Sequence, residues 1–286
     1  MLAGDPEGNL GTIANMAIRC RSGGTNSPEQ SEEETILAEG TKRVAVVTGA
    51  SSGIGAAAAV ALHKAGFALV LGARRLEKVQ EVGAPLGALC LPLDVTDAAS
   101  VEAFCAQIPE VHVLVNNAGG ALGLDKFADS KDEDWQRMYD TNVMGLMRVT
   151  RALLPKLEAS GAGHVVNIGS VAGREAYPGG AGYNAVKFAV KAITQVMRLE
   201  LVGKPIRITE VAPGMVETEF SVVRFSGDEE RAKKVYAGLQ PLSAEDVADV
   251  IQWVVTRPAH VNIDEVVVKP LAQASATVAA RNVPSA

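Results

Sequence analysis

A tyrosine and a lysine stand four residues apart, Tyr183 and Lys187, in a stretch that predicts a helix. On a helix this spacing places both side chains on one face. Tyrosine, with a pKa of about 10, is a weak base at neutral pH, but a neighbouring ammonium favours the phenolate. Ser170 stands thirteen residues before the tyrosine, where its hydroxyl would hydrogen-bond and orient a substrate oxygen. The three side chains predict proton transfer at an alcohol or carbonyl oxygen.

A second chemical feature is a glycine-rich turn that follows the first predicted strand and leads directly into a helix. Glycine allows the backbone to turn sharply and to approach a diphosphate, and the helix N-terminus offers free N–H donors. This context predicts a dinucleotide-binding loop rather than a simple tight turn. Its residues are Gly49, Ser51, Ser52, Gly53, Ile54 and Gly55.

The end of the second predicted strand bears on the choice of dinucleotide. An acidic residue there would bind the ribose hydroxyls and repel a 2′-phosphate, whereas this chain has Arg74 and Arg75. A guanidinium is a planar fork that suits phosphate. We therefore predict NADP as the cofactor, with Arg74 as the main contact and Arg75 as the second. The alternative is a solvated basic start to the next helix.

The elements that must position these residues follow a regular pattern from Val44 onward. Apolar strands alternate with helices, which predicts an α/β fold. We expect a single doubly wound (Rossmann-type) domain with a seven-stranded, mostly parallel sheet and helices on both faces. The predicted strands are 44–47, 68–71, 88–91, 111–115, 164–168, 206–211 and 261–268, and the predicted helices are 54–64, 76–82, 98–107, 132–143, 144–159, 182–202 and 243–255.

Composition excludes several classes of function. The 286-residue chain has a formal net charge of −6, which argues against a nucleic-acid-binding or anionic-membrane surface. No stretch predicts a transmembrane span. Three cysteines without a CxxC pair indicate a reducing compartment, and four scattered histidines predict no metal site.

The ends of the chain differ from its middle. Residues 1–40 show no persistent apolar period, so we predict a disordered extension there. A targeting peptide is the alternative, against which Asp5, Glu7 and the acidic run 32–34 argue. We predict a cytoplasmic protein and leave organellar targeting open. The domain is predicted to span 41–270, followed by a tail at 271–286.

The spacing GxxxGxG, the run Asn116-Asn117-Ala118-Gly119 and the Ser170–Tyr183–Lys187 set together resemble the short-chain dehydrogenase/reductase family over about residues 41–270. The resemblance implies reversible hydride transfer between an alcohol carbon and nicotinamide, without a metal. It adds Asn142 to the catalytic set, as a helix-bending residue whose carbonyl holds a water in a proton relay. It also implies a homotetramer or a dimer. Further cofactor contacts implied by the family are Asp94, Val95, Asn116, Ala118, Gly119, Tyr183, Lys187, Pro213, Gly214, Val216 and Thr218.

Residues 215–240 are rich in charge and predict a helical lid over the substrate. Within the family, the run EFSVVRFSGD at 219–228 resembles the NADP-dependent 3-hydroxy acid dehydrogenases, also described as serine 3-dehydrogenases. This resemblance implies serine, allo-threonine or 3-hydroxypropionate-type acids, or their semialdehydes, as substrates.

Arg224, in the middle of that run, is our candidate for binding the substrate carboxylate, while Ser170 and Tyr183 bind the hydroxyl. A surface salt bridge is the alternative role for Arg224, and Lys126 and Arg174 are competing candidates. Two other functions stay open: a reductase of another small ketone or aldehyde with the same mechanism, and a non-catalytic NADP(H)-binding protein.

Overall fold

A computed structural model describes residues 42–282; the predictions for residues 1–40 and for the last four residues of the tail lie outside this range. The described part contains seven strands and nine α-helices. The strands are β1 (Val44–Thr48), β2 (Ala68–Ala73), β3 (Leu89–Pro92), β4 (Val113–Asn116), β5 (Gly163–Ile168), β6 (Ile206–Pro213) and β7 (Glu265–Val268). The helices are α1 (Gly53–Lys64), α2 (Leu76–Gly83), α3 (Ala98–Ala106), α4 (Asp132–Tyr139), α5 (Gly145–Ala159), α6 (Ala181–Glu200), α7 (Glu219–Arg224), α8 (Glu229–Tyr236) and α9 (Ala244–Val255).

The strands form one sheet in the order β3-β2-β1-β4-β5-β6-β7, and all six pairings are parallel. This confirms the predicted doubly wound fold. The chain runs outward in one direction from β1 to β3 and in the other direction from β4 to β7. Loops that leave β1 and β4 therefore diverge, and a crevice opens between them at the carboxyl ends of the strands.

Both faces of the sheet are apolar because helices cover both. In β1, Ala45 and Val47 are fully buried in a cluster with residues of α1 and α9. Val46, which points the other way, is fully buried in a second cluster with residues of α3 and α5. Successive side chains of a strand face opposite sides, so an uninterrupted apolar strand serves two cores at once.

Two predicted boundaries differ from the structure for local reasons. The helices predicted to meet at residues 143 and 144 are joined by a π-helical turn, Asp140–Met144, that contains Asn142. The last strand begins at Glu265 rather than at residue 261. The side chain of Asn262 takes the place of strand backbone there: its Oδ1 accepts from the Ile208 N–H at 2.8 Å and its Nδ2 donates to the Ile208 carbonyl at 3.0 Å.

A capping box starts α9, with Ser243 and Asp246 each bonding the other's backbone N–H. Among residues 42–282, no helix has the length and apolarity needed to cross a membrane.

A buried histidine on β5 makes the stability of the fold sensitive to acid. His164 is fully buried, with its Nε2 2.8 Å from the hydroxyl of Thr209. Burial, helped by the charges of Arg207 and Arg43, lowers its pKa from 6.5 to about 3. Between these two values the unfolded chain binds a proton that the folded chain does not, so stability rises with pH in that window.

We therefore expect the free energy of unfolding to fall steadily as the pH drops from about 6.5 to about 3. Urea unfolding at a series of pH values measures this dependence. His164→Gln, which cannot take up the proton, should show a shallower loss. The exposed His63→Gln variant is the control and should follow the wild type. Parallel curves for the wild type and His164→Gln would contradict the assignment.

Candidate active site

The carboxyl ends of the strands open into a cleft of about 700 Å³. It collects most of the residues that the sequence singled out. Those that line it are Gly49, Ser51, Ser52, Gly53, Ile54, Arg74, Arg75, Asp94, Val95, Ala118, Gly119, Ser170, Tyr183, Lys187, Pro213, Gly214, Val216, Thr218 and Arg224. Three predicted residues, Gly55, Asn116 and Asn142, do not line it.

The glycine-rich turn has the geometry of a phosphate cradle. Gly49 has a φ of +66°, and a Cβ there would lie 2.9 Å from the backbone of Ala118, so only glycine fits. A Cβ at Gly55 would overlap with the carbonyl of Gly49. Ser52 is the N-cap of α1 but makes no side-chain capping bond. The first N–H groups of α1 therefore lack a capping side chain, which leaves them for an anion such as a diphosphate.

Thr48 and Asn117, which were not predicted as site residues, connect this turn to the loop after β4 by hydrogen bonds. The Thr48 hydroxyl accepts from the backbone N–H groups of Asn117 and Ala118, both at 3.0 Å. The Asn117 amide in turn donates to the carbonyls of Thr48 and Gly49 at 3.0 and 3.1 Å. These bonds set the width of the cleft at the point where the two loops diverge.

The neighbouring asparagine, Asn116, was predicted to contact the cofactor, and the structure does not bring it to the cleft. It is buried, and its amide donates to Thr150 at 2.8 Å and to Asn167 at 2.9 Å. Consecutive residues at the end of a strand point in opposite directions, so Asn116 and Asn117 cannot both face the same loop. The sequence indicated that the two asparagines matter, but it did not show which of them faces the glycine-rich turn.

Asn142 also lies behind the cleft. Its side-chain amide donates to the carbonyls of Met138 and Gly120 at 2.8 and 2.9 Å, and its Oδ1 accepts from the Gly120 N–H at 3.2 Å. It thus fastens the π-helical turn to the loop that lines the cleft. As predicted for a helix-bending residue, it sits where the regular helix is interrupted.

At the end of the cleft next to β2, the two predicted arginines have different surroundings. One guanidinium nitrogen of Arg75, Nη2, donates to the hydroxyls of Ser51 and Ser52 and to the carboxylate of Glu219, all at 3.1 Å. Arg74 lines the cleft and is exposed. The positive charge predicted at the end of β2 is therefore present, and part of it already pairs with the 215–240 segment.

The three proton-transfer candidates lie together at the other end of the cleft. Ser170 follows β5 and its Oγ accepts from the Ala172 N–H at 3.1 Å, which fixes the hydroxyl. Lys187 donates from Nζ to the carbonyl of Ile168 at 2.9 Å and lies 5.7 Å from the ring centre of Tyr183. Burial lowers the pKa of Lys187 to about 8, against the opposing effect of the Glu210 charge.

The electrostatics of Tyr183 differ from the simple expectation. Burial, the largest effect, raises the pKa of its phenol; Tyr177 raises it further, and a hydrogen bond with Ser170 and the charge of Arg224 lower it. The expected stabilising cation was Lys187, but Arg224 is the cation that offsets part of the rise. The two cations are equally far from the ring centre of Tyr183, at 5.7 Å, but the ammonium of Lys187 is turned to the carbonyl of Ile168.

Arg224 is held at the cleft by two hydrogen bonds. Its Nε donates to the carbonyl of Gly123 at 2.9 Å, and its Nη1 donates to the hydroxyl of Tyr177 at 3.3 Å. Its Nη2 is buried and has no hydrogen-bond partner among residues 42–282. A buried guanidinium nitrogen without an acceptor is costly, so this atom is suited to an anionic group of a ligand.

The alternatives to Arg224 are less well placed. In the described part of the chain Arg224 forms no salt bridge, so the alternative surface role is not observed. Arg174 is engaged by two carboxylates, Glu210 at 3.1 Å and Glu265 at 2.8 Å. Lys126 is exposed and does not line the cleft.

Several residues that line the cleft were not predicted as site residues from the sequence. Tyr177 carries the hydroxyl that meets Arg224, and Phe220 packs its ring 5.5 Å from that of Tyr183. Tyr236 donates to the Val216 carbonyl at 2.8 Å, and Gln273 accepts from the Met215 N–H at 2.8 Å. Phe220 and Tyr236 belong to the predicted 215–240 lid, whereas Tyr177 and Gln273 come from other segments, and no spacing within one segment reveals the contacts that these residues make.

Comparisons with known proteins agree with this arrangement. A family model described as short chain dehydrogenase matches residues 43–229. An uncharacterized oxidoreductase of Mycobacterium tuberculosis is 56% identical over 236 residues, which cover 82% of this chain and 94% of that protein.

Two further relatives carry more specific names. An NADP-dependent 3-hydroxy acid dehydrogenase of Schizosaccharomyces pombe is 43% identical over 242 residues, covering 81% of this chain and 93% of that protein. Sulfoacetaldehyde reductase 2 of Chromohalobacter salexigens is 43% identical over 240 residues, covering 81% and 95%. Among solved structures, the closed form of serine dehydrogenase complexed with NADP+ matches with a TM-score of 0.80 and 39% identity, covering 83% of this chain and 99% of that chain.

The close packing of the glycine-rich turn yields a direct test. In Gly55→Ala, the added Cβ meets the Gly49 carbonyl and the Asn117 amide, so the turn must shift. We expect the affinity for a nicotinamide dinucleotide to fall about tenfold or more, since phosphate binding depends on the backbone N–H positions. Calorimetric titration measures the affinity.

The control is Gly203→Ala, where φ is +84° but no atom lies within 4 Å of the new Cβ. That change strains a remote turn, so it should lower stability without changing dinucleotide affinity. Equal affinity losses in the two variants would show that Gly55 acts through overall stability alone.

Proposed function

The chain belongs to the short-chain dehydrogenase family, and we propose that it is an NADP-dependent oxidoreductase of small anionic substrates. The substrates proposed are 3-hydroxy acids of the serine, allo-threonine and 3-hydroxypropionate type, or the matching semialdehydes. The observation that carries this proposal is the unpartnered, buried Nη2 of Arg224 in the same cleft as Tyr183.

NADP is the cofactor, in line with the name of the S. pombe relative and with the nucleotide in the serine dehydrogenase structure. The cleft supplies what it needs: a glycine turn that a Cβ would obstruct, an uncapped helix N-terminus and two arginines at the end of β2. When bound, NADP supplies the hydride chemistry at its nicotinamide ring. Arg74 and Arg75 are proposed to bind its 2′-phosphate.

The roles proposed for this chain's residues follow from their surroundings. Because burial raises the pKa of Tyr183, its phenol carries a proton at neutral pH and donates it to a carbonyl oxygen during reduction. Ser170 hydrogen-bonds the same oxygen and orients it. Lys187, anchored on Ile168, binds the ribose and links the tyrosine to solvent. Asn142 maintains the bend and the loop that this relay needs.

Arg224 distinguishes the substrate by its charge. In the ketone or aldehyde that corresponds to a 3-hydroxy acid, one carbon separates the carboxylate from the carbonyl carbon. A guanidinium 5.7 Å from the centre of the Tyr183 ring is within reach of that carboxylate when the oxygen faces the tyrosine. Tyr177 supports the contact, because its hydroxyl accepts from the neighbouring nitrogen of the same guanidinium.

A second candidate substrate class has the same arrangement. In sulfoacetaldehyde, the compound named for the Chromohalobacter relative, one methylene separates a sulfonate from the aldehyde carbon. The same arginine would suit a sulfonate, since both are oxyanions that accept from a planar fork. Turnover of serine and 3-hydroxypropionate but not of isethionate selects the first class, and the reverse selects the second.

One substrate panel distinguishes this proposal from a reductase of neutral carbonyls and from a non-catalytic NADP(H)-binding protein. Turnover is followed by nicotinamide absorbance with NADP⁺ and, in turn, L-serine, allo-threonine, 3-hydroxypropionate, isethionate and uncharged alcohols of similar size. A reductase of neutral carbonyls would prefer the uncharged alcohols. A non-catalytic NADP(H)-binding protein would bind NADP and turn over none, although the complete Ser170–Tyr183–Lys187 set favours catalysis.

Assembly and compartment stay predictions. A homotetramer or dimer is supported by apolar side chains exposed along α6 and after its end, at Phe188, Val196, Leu199 and Val202. A cytoplasmic location rests on the sequence alone.

The first variant to test the substrate class is Arg224→Met, which keeps the stem and removes the charge. We expect kcat/KM for the anionic substrate to fall about 100-fold, because a charge-assisted contact contributes about 3 kcal/mol. The loss for an uncharged alcohol should be far smaller. The matched control is Arg231→Met, an arginine of the same segment that is exposed and stacks on Phe225. Equal losses for charged and uncharged substrates would remove Arg224 from this role.

The cofactor assignment is tested by Arg74→Asp. The change replaces a phosphate-binding charge by one that repels phosphate and accepts from ribose hydroxyls. We expect the ratio of kcat/KM for NADP⁺ to that for NAD⁺ to fall by about 100-fold. Arg151→Asp, an exposed position on α5, is the control for the added negative charge. An unchanged ratio in Arg74→Asp would refute the assignment of this residue.

A further inference from the structure

A buried ion pair lies directly behind the serine of the active site. Glu210 on β6 and Arg174, four residues after Ser170, meet through two parallel hydrogen bonds: Nη1 to Oε1 and Nη2 to Oε2, each 3.1 Å. The glutamate side chain is 2% exposed and the arginine side chain 13%. Neither residue belongs to the cleft lining, and the proposed reaction does not use either directly. Buried charge is costly, so its place next to the active site calls for a reason.

The arginine of this pair also holds the backbone of the serine. Arg174 Nη1 donates to the carbonyl of Ser170 at 3.1 Å, in addition to its bond with Glu210. The guanidinium therefore connects β6 to the turn that presents the serine hydroxyl. A lysine could not make these contacts together, because an ammonium is a point donor without the fork geometry.

The glutamate touches the same turn from the other side. A Cβ at Gly169 would overlap with the Glu210 carboxylate, so the residue before Ser170 must be glycine for the pair to form. The carboxylate also acts on Lys187: its charge raises the pKa of the lysine, which burial lowers to about 8. The geometry places both groups at one turn, because Glu210 packs against Gly169 and Lys187 donates to the carbonyl of the preceding residue, Ile168, at 2.9 Å.

We propose that Glu210 and Arg174 are positioning residues for the proton-transfer site: Glu210 holds Arg174, and the pair together fixes the turn that carries Ser170 and receives the ammonium of Lys187. The inference rests on the proposed roles of Ser170 and Lys187. It adds the Glu210–Arg174 ion pair to the groups that support the site, a pair that the spacing of the catalytic residues does not predict.

The other charged and titratable groups around the pair are few. Glu265 on β7 binds the outer side of Arg174, with Oε1 3.0 Å from Nε and Oε2 2.8 Å from Nη2, and its side chain is 37% exposed. Tyr183, on the same helix as Lys187, faces Arg224 and Tyr177 across the cleft. The negative charge that bears on Lys187 is that of Glu210.

Glu210→Gln tests the charge while it preserves the shape. Without the carboxylate, Lys187 loses its proton at lower pH. We expect the high-pH limb of kcat/KM to move to lower pH, and kcat at neutral pH to fall about tenfold as the serine turn loosens. NADP⁺ affinity, measured by calorimetry from pH 6 to pH 9, should weaken at a lower pH than in the wild type. This binding readout does not depend on the identity of the substrate, so it separates failure of this inference from failure of the proposed substrate class.

Two variants show whether charge or packing is responsible. Glu265→Gln removes the other carboxylate that binds Arg174, and the Glu265 side chain is 37% exposed. This variant should leave the high-pH limb of kcat/KM where it is in the wild type. Glu210→Asp keeps the charge and should restore the limb even if thermal stability falls. A folded Glu210→Gln protein with wild-type pH limbs for turnover and NADP⁺ binding would overturn the proposal.

If Glu210→Gln does not fold, Arg174→Lys provides the test. It keeps the charge but loses the simultaneous contact with Glu210 and the Ser170 carbonyl, so kcat should fall about tenfold with the pH limbs unmoved. Wild-type kcat in a folded Arg174→Lys protein would also overturn the proposal.

Discussion

The hydroxyl of Thr48 joins the two loops on which the cleft depends. It accepts from two backbone N–H groups of the loop after β4, and the Asn117 amide returns two bonds to the turn after β1. At this point the strand order reverses, so the loops would otherwise separate. The close approach of Gly49 to Ala118 is possible because Gly49 has no Cβ, and these bonds connect the two backbones where they meet.

Burial controls the chemistry of the site. Tyr183 and Lys187 are both buried, which disfavours the phenolate of one and the ammonium of the other. Charges supplied from elsewhere in the fold oppose these effects: Arg224 acts on the tyrosine and Glu210 on the lysine. The pKa values of these two proposed proton-transfer residues thus depend on groups from the 215–240 segment and from β6, and not on one another alone. Under the proposed function, the guanidinium of Arg224 would both bind the substrate anion and lower the pKa of the tyrosine.

The elements behind the cleft explain why polar groups are buried there. Asn116, Asn142 and the Glu210–Arg174 pair do not line the cleft, and Asn142 and Arg174 bond the backbone of residues that do, Gly120 and Ser170. The bonds that these groups make inside the protein offset the cost of burying them, since an unpaired buried polar group is costly. These bonds hold the loops that line the cleft, and Arg224, which also lines it, has one buried guanidinium nitrogen without a partner among residues 42–282.

The sequence by itself determined the α/β class, the glycine turn, the arginines after β2 and the Ser170–Tyr183–Lys187 spacing. These signals lie within single elements, whose periodicity follows from local backbone geometry. The tertiary structure decided the rest. It selected Asn117 over Asn116 for the loop contact, shortened β7 through the Asn262 side chain, and brought Tyr177 and Arg224 together across 47 positions of sequence. It also paired Glu210 with Arg174 beneath the serine. Such contacts depend on how distant segments pack, and no pattern within one segment specifies its partner.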